Sequence, residues 1–203
     1  MCYIGNDVLS IKDRSNQKSF SNQKFLRKIL TDKELYCLQD SDFCFQSYLF
    51  WTCKESAYKI AVKKGYNLAF VPQYFEVVSH KVQTEDNISI ITGSISFEET
   101  LFYFRSKITT DFVSTIASEH ENELSYVCES AGIYIEGDYS LLMKTSLKKE
   151  VSEHFSADPE HFRICKNQNG VPYLCSTINK IMPDISFSHD GPYYAYALLY
   201  SRP

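Results

Sequence analysis

The chain has no uninterrupted apolar stretch near the roughly 20 residues that a membrane-spanning helix needs, which argues against a membrane protein. It lacks the basic, then apolar, opening of a secretory signal: Met-Cys-Tyr-Ile-Gly-Asn-Asp places an acid there, so a soluble cytoplasmic protein is expected. Its seven cysteines, at 2, 37, 44, 53, 128, 165 and 175, include no Cys-x-x-Cys pair and no paired Cys/His spacing. Neither a zinc site nor a redox motif is visible, and reduced, mostly buried thiols are expected. An excess of positive charge is missing too: the formal net charge is −4, which argues against general nucleic-acid binding. No nucleophile elbow is present, which removes the serine and cysteine hydrolases of that type. No internal repeat can be aligned residue by residue.

What is present reads as a globular chain of one domain or two small ones, with 44% hydrophobic and 23% charged residues among 203. Residues 3–11 alternate as a strand. Apolar positions from Gln23 to Leu38 predict a helix broken at Thr31-Asp32, where Thr31 and Glu34 make a capping box. A second helix is predicted over Phe43 to Lys64, ended by Gly65. Residues 73–117 carry β-branched and aromatic runs separated by turn-formers, as in an antiparallel sheet. The acid-rich break Ser118-Glu119-His120-Glu121-Asn122-Glu123 marks a boundary between halves 1–118 and 119–203. Beyond it a helix over 140–155, strands near 161–166 and 171–175, and a closing hairpin are predicted.

Three segments carry the chemistry. The first, Ile4-Gly5-Asn6-Asp7-Val8, displays a carboxylate at a strand end, where Asp is either a turn residue or a hard-metal ligand. The second begins at Trp51. There Trp51, Glu55, Tyr58, Lys59 and Val62 share one helix face, so Glu55 and Lys59 flank aromatic residues, and a half-buried carboxylate in that position wants a cation. The third is Ser186-Phe187-Ser188-His189-Asp190 before the Gly191-Pro192 turn. Adjacent strand residues point to opposite faces, so this trio cannot stack as a hydrolase triad. Asp7 and Glu55 would suffice for magnesium, which takes one or two carboxylates and completes its shell with water and phosphate oxygens. Gly170-Val171-Pro172 reads as a tight turn.

Together, Gly5-x-Asp7-Val8, Trp51-x-x-Lys54-Glu55-x-Ala57-x-Lys59, Gly170-x-Pro172 and Ser186-Phe187-Ser188-His189-Asp190 resemble the 4′-phosphopantetheinyl transferase superfamily. The resemblance implies an α+β fold of two similar α/β halves, each an antiparallel sheet packed on a helix, forming a pseudo-dimer. It also implies transfer of the phosphopantetheine arm of coenzyme A to a serine of an acyl or peptidyl carrier protein. On that basis Asp7 and Glu55 bind magnesium and Glu55, Lys59 and His189 are catalytic. Lys54, Lys59, Gly170, Pro172, Ser188 and His189 hold coenzyme A. The carboxylate half comes first, as in the small holo-acyl-carrier-protein synthase type, yet the chain is longer than that trimeric type, so a monomer with both halves is expected. The stretch Phe25-Leu26-Arg27-Lys28-Ile29-Leu30-Thr31-x-x-Glu34 also resembles that type, whose equivalent basic helix docks on the acidic carrier; this fits the positive patch from Lys12 to Lys33, with Arg14, Arg27 and Lys28 as carrier contacts. Two residues depart from the family pattern: position 9 is Leu where larger members often carry a third acid, and Val171 stands where Lys is usual. Lys148, Lys149 and Arg163 are candidates for the phosphate contact that Val171 forgoes. The alternative is a family fold that binds coenzyme A or a carrier without turnover.

Overall fold

In the computed structural model, which describes residues 2–38, 43–66, 69–134, 136, 138–178 and 181–200, the chain begins as a strand with almost every residue buried, β1 (Ile4–Ser10). Three short helices follow, α1 (Arg14–Phe20), α2 (Gln23–Ile29) and α3 (Asp32–Leu38), then the long α4 (Phe43–Lys63). Side chains that favour helix starts open the first two: Asp13 accepts from the N–H groups of Ser15 and Asn16, and Asn22 from those of Lys24 and Phe25. The capping box at Thr31 is formed. Thr31 N–H donates to Glu34 Oε2 at 2.8 Å, and Glu34 N–H donates back to Thr31 Oγ1 at 3.3 Å. Gly65, at φ +94°, ends α4 where a side chain would be strained.

Strands β2 (Phe75–Glu85), β3 (Ile88–Phe97), β4 (Thr100–Ile108) and β5 (Phe112–Ser118) complete an antiparallel sheet in the order β1-β5-β4-β3-β2. The core on which α4 lies is built from Cys53, Ala57, Ile60 and Ala61 of the helix with Phe75, Ile95, Phe102, Phe104 and Val113 of the sheet. Helix and β1 approach so closely that a Cβ on Gly5 would sit 1.9 Å from the Ser56 carbonyl oxygen. That approach gives the glycine of the first motif its physical reason. Replacing Gly5 with Ala is expected to cost about 2–3 kcal/mol by overpacking, read as a lower urea midpoint, and an unchanged midpoint would contradict the packing described.

The remaining elements are β6 (Cys128–Ile133), α5 (Tyr139–Phe155), β7 (Phe162–Lys166), β8 (Pro172–Ser176), β9 (Asp184–Asp190) and β10 (Tyr193–Leu199). They form a three-stranded sheet, β6-β10-β9, and a separate β7–β8 hairpin. Met143, Leu147 and Val151 of α5 pack against Phe162, Leu174, Ile185, Tyr196 and Leu198. Helix on antiparallel sheet therefore recurs on both sides of the acid-rich break, with five strands on one side and three plus a hairpin on the other.

The two sheets meet edge to edge. β1 pairs with β5 on one side and leaves its other edge, and so a row of backbone groups, facing β9. Side chains of β9 fill that row: Ile4 N–H donates to Asp184 Oδ2 at 2.7 Å, Asn6 N–H to Ser186 Oγ at 3.0 Å, and Ser10 N–H to Asp190 Oδ2 at 2.8 Å. The constant offset in these pairs shows that β1 and β9 run in the same direction. Two lysines one helical turn apart close the seam from α4. Lys63 donates to the carbonyls of Ile4 and Ile185 and to Asp184, each at 2.7 Å. Lys59 does the same one turn back, to Asn6 O at 2.6 Å, Phe187 O at 3.3 Å and Asp7 Oδ1 at 3.3 Å. No helix among the described residues is long and apolar enough to cross a membrane.

Candidate active site

A cleft of about 490 Å³ opens along this seam. Asp7 from β1, Glu55 and Lys59 from α4, and Ser188 and His189 from β9 all line it, with Phe20, Phe25 and Trp51 forming an aromatic side. Phe20, Phe25 and Trp51 pack mutually, with ring centroids 5.3–6.2 Å apart. Gly170 and Pro172 are not in this cleft. They line an adjoining pocket of about 270 Å³ that shares Lys59 and Phe187 with it. A third hollow, about 470 Å³, continues from there past Lys63, Val171 and Pro172 to Tyr3 and Asp184. Joined by shared lining residues, Lys59 and Phe187 and then Lys63, Val171 and Pro172, the three follow one another as a groove along the seam.

Lys54 is a correction to the sequence reading. Placed among the coenzyme A contacts by its motif, it is instead fully buried on the opposite face of α4, where it pairs with Glu34 at 2.7 Å. Its ammonium also donates to Ile29 O at 2.9 Å and Pro72 O at 3.0 Å. All its hydrogen-bonding capacity is thus spent inside the core. Glu34 carries the other end of this network, its Oε1 accepting from Val77 N–H at 2.9 Å. The helical period explains the split within the motif: Glu55 and Lys59 are neighbours at i and i+4, whereas Lys54 faces away.

Burial dominates the electrostatics of the carboxylates. Asp7 is pushed up to about 6 by desolvation, against the pull of the nearby Lys59 charge. Glu55 is pushed up to about 7 by desolvation and then by the charge of Asp7. Glu55 makes no side-chain hydrogen bond or ion pair with any described residue, so its shift is that of a carboxylate lacking a close partner. Two desolvated carboxylates lining one cleft fit a hard divalent cation. Among the described residues no group of three or more His, Cys, Asp and Glu converges, so water and substrate oxygens would supply the rest of the shell, as magnesium favours.

A pH dependence follows from these shifts. Both folded-state values lie above the roughly 4 expected for an unfolded Asp or Glu, so the fold binds extra protons. The stability this confers is full at acid pH and is lost as pH rises through about 6 and 7. A cation held by Asp7 and Glu55 would replace those protons. Magnesium is therefore expected to raise the melting temperature more at pH 8 than at pH 5.5, and an equal increment at both would contradict the assignment.

His189 is exposed and lies face to face with Tyr139, ring centroids 4.1 Å apart and planes 20° apart. Sequence reasoning missed Tyr139, because it starts α5 far from any motif. It also missed Lys63, although the i+4 spacing from Lys59 was a usable signal. Asp190 is taken up structurally, accepting from Ser10 N–H and Asn16 Nδ2. Arg14, Arg27 and Lys28 are exposed on α1 and α2, the helices whose Asn16, Ser19, Phe20 and Phe25 reach the cleft. Lys148, Lys149 and Arg163 line none of the three hollows.

No curated protein matches the chain. A family model described as the 4′-phosphopantetheinyl transferase superfamily matches residues 3–123, more than half of the chain. That span contains Gly5 and the cleft residues Asp7, Glu55 and Lys59, and on this match the chain belongs to the 4′-phosphopantetheinyl transferase superfamily.

Proposed function

We propose that the chain transfers the 4′-phosphopantetheine arm of coenzyme A to a serine of an acyl or peptidyl carrier protein, with 3′,5′-ADP as the leaving product. The observation that carries this reading is the convergence of Asp7, Glu55 and Lys59 with Ser188 and His189 in one cleft. Magnesium held by Asp7 and Glu55 would neutralise charge on the pyrophosphate of coenzyme A. Lys59 exchanges part of its bonding to Asn6 O, Phe187 O and Asp7 for phosphate oxygens, and His189 and Ser188 hold the same group from β9. Glu55, or a water activated by the metal, would take the proton of the carrier serine hydroxyl. The serine oxygen bonds to the phosphorus that bears the pantetheine arm. The bond from that phosphorus to the bridging oxygen breaks, and 3′,5′-ADP leaves with the electron pair, its charge met by Lys59 and His189.

Gly170 and Pro172 form the nucleotide side of the groove in this reading, and Arg14, Arg27 and Lys28 meet an acidic carrier beside the cleft mouth. Since both halves of the groove come from one chain, a monomeric pseudo-dimer of about 1–118 and 119–203 suffices. The test is incubation with coenzyme A, magnesium and a panel of apo carrier proteins of fatty-acid, polyketide and peptide type, followed by intact carrier mass. A gain of one phosphopantetheine arm that EDTA abolishes supports the reading. No gain on any carrier, with coenzyme A still bound, would leave a binding protein without turnover.

A further inference from the structure

Two cysteines outside the cleft lie in contact. In the β7–β8 hairpin Cys165 stands opposite Tyr173, and Arg163 opposite Cys175, so the cysteines are diagonal neighbours on one face. The Cys175 thiol donates to Cys165 Sγ at a sulfur–sulfur distance of 3.1 Å. A disulfide needs about 2.0 Å between sulfurs, so the pair must close by roughly 1 Å, and the two strands must draw together with it because diagonal neighbours sit near the roughly 7 Å limit on Cα separation. Both residues are partly exposed, which leaves the sulfurs open to a small oxidant. The hairpin is its own two-stranded sheet, so it can make that adjustment without breaking the ladder of either larger sheet. Cys53, by contrast, is fully buried and closed to such an oxidant.

The position of the pair gives it a consequence. Cys165 and Cys175 flank the tip of the hairpin, where Asn167 Oδ1 accepts from the N–H groups of Asn169 and Val171, and where Gly170 takes φ +77°. Asn169, Gly170, Val171 and Pro172 of that tip form one wall of the seam groove. We infer that Cys165 and Cys175 are a redox modification site: a peroxide or disulfide-type oxidant joins them in a reversible cross-link that reshapes the wall proposed to hold the nucleotide. With peroxide, one thiolate attacks an oxygen and becomes a sulfenic acid as hydroxide departs and is protonated to water. The second sulfur then attacks the sulfenic sulfur, and a second water leaves. Thiol reductant returns both sulfurs to thiols. The effect on ligand rests on the coenzyme A reading above; the cross-link itself does not.

The experiment treats the full chain with oxidised glutathione or hydrogen peroxide, blocks free thiols by alkylation and maps the peptides. The expected result is a Cys165–Cys175 peptide that dithiothreitol removes, absent in Cys165→Ser and in Cys175→Ser but kept in Cys37→Ser. Alkylation of both cysteines after oxidation, or a stable glutathione adduct on one of them, would overturn the site. Coenzyme A binding is then compared before and after oxidation. Several-fold weaker binding in the wild type, reversed by dithiothreitol and missing in Cys175→Ser, is expected, since displacements of about 1 Å near a bound group have large effects. Unchanged binding would overturn the coupling to the wall. A chain that cross-links yet binds no coenzyme A in either state would fault the functional reading instead.

Discussion

Glu55→Gln is expected to lower phosphopantetheine transfer by about 10³-fold or more while the protein stays folded. The amide keeps the shape of the side chain but cannot take the serine proton, and it is a far weaker magnesium ligand than the carboxylate. The fold should not suffer. Glu55 has no close partner in the described structure, and its burial opposes its own charge, so neutralising it removes a cost. Without magnesium at pH 8 the variant should melt at the wild-type temperature or above it. Steady-state transfer to a carrier and a thermal melt on the same preparation check both halves, and near-full metal-dependent activity would refute the assigned role of Glu55.

Lys54→Met is expected to produce the opposite phenotype, losing about 3–5 kcal/mol of stability. Glu34 would remain in the core with its charge partner gone, held only by the N–H groups of Thr31 and Val77. Desolvation pushes Glu34 up and Lys54 down, toward their neutral forms, while the charge of each resists the shift of the other. Removing one partner leaves the desolvation cost unopposed. Pairing Lys54→Met with Glu34→Gln should recover part of the loss, because the uncompensated charge goes. Denaturant titration of the wild type, both single variants and the double variant measures the coupling. A loss under about 1 kcal/mol in Lys54→Met would show that this network does not organise α3, α4 and β2.

These two neighbours in sequence, Lys54 and Glu55, mark where sequence reading worked and where it stopped. The helix and the placing of Trp51, Glu55 and Lys59 on one face follow from a 3.6-residue period, and the structure brings all three to the cleft. The capping box at Thr31 and the stop at Gly65 are local rules, and they held for the same reason. The destination of Lys54 depended on Glu34, Ile29 and Pro72, which only the tertiary fold brings near it. Two elements had no expectation attached. α1 is mostly polar, with Phe20 its one buried residue, and β6 reads Cys-Glu-Ser-Ala-Gly-Ile without clear alternation. The cap from Asp13 and pairing with β10 respectively define them. The seam was equally hidden, since side chains on β9 and lysines on α4, rather than a backbone ladder, satisfy the free edge of β1.

The central claim is that this seam forms one site, with carboxylates on one side and His189 on the other serving the same ligand. Calorimetric titration of coenzyme A into wild type, Glu55→Gln and His189→Ala, each with magnesium and with EDTA, tests it most directly. The account predicts that magnesium tightens binding to the wild type, that Glu55→Gln loses most of this increment, and that His189→Ala weakens binding with magnesium present. Binding of equal affinity in all three proteins, with or without magnesium, would contradict it.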